Sequence, residues 1–468
     1  MTMLSLGEAA RLIPGATVHG DPDTTFERVS TDSRTVGPGD LFVALKGERF
    51  DAHDFLGDVA ARGAAAALVA HAPAGLAMPV VEGGETRAAL GALAHGWRKR
   101  FAVPLVAVTG SNGKTTVKEM IASIFTAAVG ADARLATAGN LNNDIGVPLT
   151  LLRLSDAHRV AVIELGMNHP GETEVLARIA APTVALVNNA QREHQEFMAT
   201  VEAVALEHAA VIHALTPDGV AVFPADDAYA GIWRVAATGN RILDFALHDA
   251  ERQIDAQVTG RLHGGELAID TPSGSVTVRL RALGEHNARN ALAATAATLA
   301  AGIELTAIKQ GLESFEPVKG RLQVRRADVG GLAGATVVDD TYNANPDSMR
   351  AAIDVLAAQP APRVLVIGDM GEVGDEGPAF HREIGAYARE RGIDALFALG
   401  DASRDACTAY GDTARHFGDV GALVTALLAA GYGAQATVLV KGSRYMKMER
   451  VVDALTKQPA AGTVPAAH

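Results

Sequence analysis

Gly110-Ser111-Asn112-Gly113-Lys114-Thr115-Thr116 sets two glycines, a lysine and two threonine hydroxyls within seven residues. Those types at that spacing suit a polyphosphate. The glycines permit a tight turn whose backbone N–H groups face the anion. Lys114 adds a point charge, and the Thr115 hydroxyl offers Mg²⁺ a hard oxygen. The alternative is a glycine-rich turn that holds no nucleotide. Glu164, near the end of the apolar run 160–165, is placed to hold Mg²⁺ or to cap the next helix. His194, in Asn188-Asn189-Ala190-Gln191-Arg192-Glu193-His194, is a metal ligand or a solvated loop histidine. Asn140, Asn142 and Asn143 precede a helix; such amides suit sugar hydroxyls and diphosphates, or simply make a turn. In Asp339-Asp340-Thr341-Tyr342-Asn343-Ala344-Asn345-Pro346, a carboxylate can take ribose hydroxyls and Asn345 can cap the helix that Pro346 starts.

Such groups need strand ends and helix starts to hold them. Residues 104–108 read as a buried strand and 117–128 as a helix, so the glycine turn joins the two. The apolar runs 160–165, 184–187 and 220–223 alternate with helical stretches, which is the mark of a parallel sheet. Residues 255–282 break the pattern. Gly264-Gly265 and Ser273-Gly274 are turn signals, so antiparallel hairpins are expected there, followed by a helix over 287–301. Residues 1–102 form a small α/β unit, with strands at 41–45 and 66–70 and a helix after His53. From Arg325 onward the runs 336–338, 364–367, 395–399 and 437–440 predict a second open α/β sheet of Rossmann type. The fold class is therefore α/β in three domains, 1–102, 103–324 and 325–468, with a frayed tail after Thr456.

Composition narrows the function. At 468 residues the chain has room for several domains, and 48 % hydrophobic against 20 % charged residues makes it globular. A net charge of −13 argues against a nucleic-acid surface, so any phosphate site must rely on local donors. Cys407 is the only cysteine, which excludes an internal disulfide and a thiolate metal cluster. No run is long enough to insert in a membrane, and Glu8 and Arg11 stand where a signal peptide would be apolar. A soluble cytoplasmic protein is expected, and nothing demands more than a monomer.

The general phosphate loop has glycine five residues before Gly113, where this chain has Val108. The stretch 109–116 instead resembles the shortened loop of the Mur ligases and folylpolyglutamate synthetases, which use ATP to join a carboxylate to an amine. Thr31-Asp32-Ser33-Arg34 and the segment ending Lys46-Gly47 are similar to the Mur family's uridine-binding domain. Gly284-Glu285-His286-Asn287-Ala288-Arg289-Asn290 resembles the segment that reaches the ATP base, and Lys319-Gly320-Arg321 the arginine that meets the γ-phosphate. Gly368-Asp369-Met370-Gly371-Glu372 and Val440-Lys441-Gly442-Ser443-Arg444 match its C-terminal domain.

The resemblance spans essentially the whole chain, and the segment 339–346 resembles the signature of the family's dipeptide-adding member. It implies ATP and Mg²⁺, with D-alanyl-D-alanine and UDP-N-acetylmuramoyl-tripeptide as substrates. Gly110, Ser111, Asn112, Gly113, Lys114, Thr115, Thr116, Asn290, Arg321 and Asp340 would then bind ATP, while Thr115, Glu164 and His194 hold metal. Ser33, Arg34, Lys46, Asn140, Asn142, Asn143, Tyr342, Asn343 and Asn345 would meet the other substrates, and Lys114 and Arg321 would be catalytic. Rival functions are another ligase of this kind, adding a single amino acid or glutamate to folate, or a nucleotide-binding switch protein.

One departure stands out. The family carries a lysine fourteen residues after the metal-binding histidine, carbamylated by CO₂ to help hold a second Mg²⁺. That position is His208, and no lysine occurs between Lys118 and Lys309. His208 is expected either to reach the metal or its water, as a catalytic residue, or to lie on a helix surface with Glu207 or water covering the gap.

Overall fold

The computed structural model describes residues 2–248 and 254–456; the expected frayed tail lies outside them. The chain is α/β in three domains. The first carries a five-stranded sheet in the order Thr17–His19, Val80–Glu82, Ala66–Val69, Asp40–Val43, Arg28–Ser30, parallel except at its first edge. The strand expected at 41–45 stops at Val43, where the Leu45 N–H turns back to the Val43 carbonyl.

The second domain has six parallel strands in the order Arg241–Ile242, Val220–Val222, Val184–Val187, Leu105–Thr109, Val160–Glu164, Arg134–Ala136. Val106, Ala107 and Val108 have no exposed surface, as a strand covered by helices on both faces requires. Burying each Val, Leu or Ile side chain here contributes about 1.5–3 kcal/mol. Chain order reverses beside Leu105–Thr109, so the crevice at the C-terminal strand ends opens there. The phosphate loop follows this strand, Glu164 ends one neighbour, and Asn188 follows the other.

The expected hairpins pair Val258–His263 with Glu266–Thr271, and that strand with Gly274–Arg279. Gly264 and Gly265, at φ +57° and +83°, make the first turn. Two positive φ values are what a two-residue hairpin loop needs. Small residues let helices close in on this domain's core. A Cβ on Gly311 would lie 2.3 Å from Ile124 Cα, so helix Leu305–Ser314 lies almost in backbone contact with Lys114–Val129.

The third sheet runs Gln323–Arg326, Thr336–Asp340, Thr437–Lys441, Arg363–Gly368, Ala395–Leu399, Arg415–Phe417, with only the first strand antiparallel. The boundary drawn between 324 and 325 therefore falls inside a strand of this sheet. Among the described residues no helix is long and apolar enough to cross a membrane.

Candidate active site

A cavity of about 530 Å³ lies between the second and third domains. Its floor is the phosphate loop. Gly113 sits at φ +82°, and a Cβ there would come within 2.5 Å of the Asn290 side-chain oxygen. Only glycine meets both demands. The helix expected from Val117 begins at Lys114, so its N-terminus opens directly onto the loop. Lys114 curls back over the loop: Nζ donates to the Gly110 carbonyl and, at 3.3 Å, to that of Ser111.

Glu164 is 2 % exposed and lines the cavity. Its Oε1 accepts from Thr115 Oγ1 at 3.2 Å and from Asn142 Nδ2 at 2.8 Å, while buried Oε2 has no partner. An orphaned carboxylate oxygen beside a hydroxyl is a donor set that fits Mg²⁺. Among the described residues no three His, Cys, Asp or Glu side chains cluster to hold a metal alone. His194 adopts φ +47°, an uncommon state for a non-glycine residue, and borders the same cavity. Its Nδ1 lies 2.6 Å from Glu372 Oε2, on the third domain.

The third domain supplies the opposite wall. Arg321 donates to Thr115 Oγ1 at 2.9 Å and stacks on the Tyr342 ring, 4.2 Å from its centroid. Asp340 pairs with Lys441 at 2.7 Å, and Lys441 also donates to the Asn343 carbonyl at 2.9 Å. Asn345 caps helix Pro346–Ala357 as expected, accepting from Ser348 N. Its Nδ2 also reaches across to Asn112 Oδ1 on the phosphate loop, at 3.0 Å. Asn290 braces the loop: Oδ1 accepts from Asn188 Nδ2 at 2.9 Å, and Asn188 Nδ2 reaches the Asn112 carbonyl at 2.8 Å.

Other expected residues stand apart. Ser33 and Arg34 line a second, smaller hollow with Phe42, Phe50 and Phe55, in the first domain. Lys46 is outside its lining and lies 3.9 Å from Asp51. Asn140 is exposed, and Asn143 accepts from Gly146 N at 2.9 Å, which is the turn reading of that cluster. Of those three asparagines, Asn142 alone lines the large cavity.

His208 meets neither of its expected placements. It is fully buried rather than on a helix surface. Both ring nitrogens are engaged, Nδ1 with Thr109 Oγ1 at 2.9 Å and Nε2 with Glu193 Oε1 at 3.0 Å, so neither is left for a metal or its water. Nor does Glu207 cover the gap; it accepts from Gly171 N and Thr173 N, each at 2.8 Å. His208 is thus held between Thr109 and Glu193, inside the fold.

Several site residues lay outside the sequence reading. Glu193 Oε2 is 3.4 Å from Lys114 Nζ. Burial alone would raise the pKa of this carboxyl. The Lys114 charge, with His208 and His194 beside it, outweighs burial and holds it well below the usual carboxylate range. Arg192 clasps two carboxylates of the third domain, Asp347 and, at 2.8 Å, Glu383. The partners stand 155 and 191 positions away, so spacing carried no signal of them. The neighbourhood of Glu193 and His194 was the one available hint.

Residues 108–298 match the Mur ligase middle domain, 320–444 the Mur ligase glutamate ligase domain, and 25–97 the Mur ligase family catalytic domain. The chain is 43 % identical over 436 residues to the UDP-N-acetylmuramoyl-tripeptide–D-alanyl-D-alanine ligase of Escherichia coli (strain K12), covering 92 % of this chain and 94 % of that one. For the enzyme of the same name from Haemophilus influenzae, identity is 39 % over 461 residues, with 97 % and 99 % covered. MurF from Acinetobacter baumannii superposes with a TM-score of 0.88 at 35 % identity, over 98 % of this chain and 99 % of that one. MurF ligase from Thermotoga maritima, in complex with ADP, gives 0.80 at 25 % identity, over 92 % and 97 %.

Proposed function

This chain belongs to the Mur ligase family, and on that premise we infer that it is an ATP-dependent ligase of peptidoglycan synthesis. It joins D-alanyl-D-alanine to UDP-N-acetylmuramoyl-tripeptide. The observation that carries this is the end-to-end match to ligases of that name. The two-domain cavity around Lys114, Thr115 and Arg321 supports the use of ATP.

In the proposed reaction the tripeptide's terminal carboxylate attacks the γ-phosphorus and ADP leaves. The dipeptide's amine then attacks the acyl phosphate, loses a proton, and the tetrahedral intermediate expels phosphate. Two anions must be brought together, and charge must be stabilised in transit. Lys114 and the loop N–H groups meet the phosphates from one domain, and Arg321 meets them from the other. Thr115 and Glu164 would hold Mg²⁺, with His194 close by; the ion supplies charge neutralisation to the phosphate oxygens. Asp340, Tyr342, Asn343 and Lys441 all line the cavity; Asp340 is proposed to take the ATP ribose, and Tyr342 and Asn343 to meet the other substrates. Phosphate release with D-alanyl-D-alanine, set against single amino acids as acceptors, tests the assignment. Release with a single amino acid alone would overturn it. We expect the enzyme to act as a cytoplasmic monomer without nucleic acid.

Ser33 and Arg34, with the aromatic rings of the smaller hollow, are proposed to take the uridine nucleotide. Arg34→Ala is expected to raise KM for the UDP-sugar severalfold and leave KM for ATP nearly unchanged, in steady-state assays varying each substrate in turn. Equal effects would place both nucleotides in one site.

A histidine side chain cannot form the lysine carbamate. Removing CO₂ and bicarbonate from the assay is therefore expected to leave activity unchanged. Reversible inactivation would mean that a lysine from elsewhere enters the site.

A further inference from the structure

Glu193 is a buried charge beside the phosphate loop. It is 5 % exposed, on the segment that follows strand Val184–Val187. Its two oxygens divide their work. Oε1 accepts from His208 Nε2 at 3.0 Å, and Oε2 faces Lys114 Nζ at 3.4 Å. An ionised carboxylate only accepts, so Nε2 carries the hydrogen. On the ring's other side Nδ1 meets the Thr109 hydroxyl, 2.9 Å away. Thr109 ends the strand that runs into the phosphate loop, and neither it nor His208 has exposed surface. The chain of contacts leads from the strand end, through a helix, to the lysine.

We propose that Glu193 is a positioning residue for Lys114: the Thr109–His208–Glu193 relay holds the ammonium at the phosphate loop before nucleotide arrives and yields it to the incoming phosphate. The proposal rests on the reading of Lys114 as a phosphate-binding group. A lysine ammonium has three donors on a flexible stem of four carbons. Here they meet the Gly110 carbonyl, the Ser111 carbonyl and Glu193. The two carbonyls belong to the loop and stay with it. The Glu193 contact is the one a phosphate oxygen replaces, because two anions cannot share the same donor without repulsion. His208 pins the carboxylate so that it does not follow the lysine into the phosphate site. A lysine fixed in advance loses less freedom when the transition state forms.

The test is a set of variants in the full-length enzyme. Glu193→Gln keeps the shape and the acceptor for His208 but removes the charge. It is expected to lower kcat at least tenfold, with KM for the UDP-sugar and the dipeptide within twofold and Tm nearly unchanged. His208→Ala should lower kcat by a similar factor, and the double variant should be no worse than the poorer single one, since the two act as a unit. His208→Gln, which sets an N–H donor near the place of Nε2, should recover most of that loss. Wild-type kcat in Glu193→Gln, when Lys114→Ala is inactive, would overturn the relay and leave the phosphate-loop reading standing. Active Lys114→Ala would overturn both. Losses that multiply in the double variant would show that the two act independently and overturn the relay, and a fall in Tm with every KM raised would show a structural role instead.

Discussion

Lys114→Ala is expected to fold normally and to lose ligation almost entirely. The side chain is 15 % exposed, and the loop is shaped by glycines and by asparagine contacts that the substitution leaves in place. Transition-state charge is the larger matter. Removing one charged donor from a preorganised oxyanion site costs about 2–4 kcal/mol, or roughly 30- to 1000-fold in kcat. The variant also leaves Glu193 buried without its cation, which adds a stability cost of its own. Turnover measured beside thermal unfolding separates the two effects. A folded variant with near-normal turnover would refute the phosphate-loop assignment.

Arg321→Ala is expected to have an effect at least as large. Arg321 lies just before the third sheet's edge strand, yet its guanidinium donates to Thr115 in the second domain's loop. It therefore does two things at once: it brings positive charge to the phosphates and ties the third domain to the nucleotide site. An arginine so placed against a transferring phosphoryl group contributes on the order of 10³-fold to kcat. Arg321→Lys should not rescue it. Lysine keeps the charge but loses both the planar stack on Tyr342 and the forked donors. Single-turnover formation of ADP would read the effect directly. Equal rates for the lysine variant and wild type would show that charge alone suffices.

Much of this fold was legible because its central strands are apolar runs between glycine turns. Residues 104–108, 184–187 and 395–399 read as strands since both faces are buried, and the structure places strands at each. Short edge strands escaped notice. Gln323–Arg326 and Arg415–Phe417 are polar, and only their neighbours' hydrogen bonds make them strands. The phosphate loop could be read because its glycines and lysine are adjacent in sequence. His208 could not. Val204, Ala205, Val211 and Ile212 on the helix Val201–His213 share its buried face, but nothing in the sequence marks the carboxylate 15 positions earlier that meets it there. Likewise the Arg192 clasp joins domains whose approach the sequence does not record. Asn345 shows both cases: its cap was visible from Pro346, and its contact with Asn112 was not.

The most direct test of the assigned reaction is mass spectrometry of what the purified enzyme makes from UDP-N-acetylmuramoyl-tripeptide, ATP and D-alanyl-D-alanine. The expected product is the UDP-N-acetylmuramoyl-pentapeptide, heavier than the tripeptide by one dipeptide less water, with one ADP and one phosphate formed per bond. Phosphate release without a mass change in the nucleotide sugar, or addition of a single residue, would contradict it.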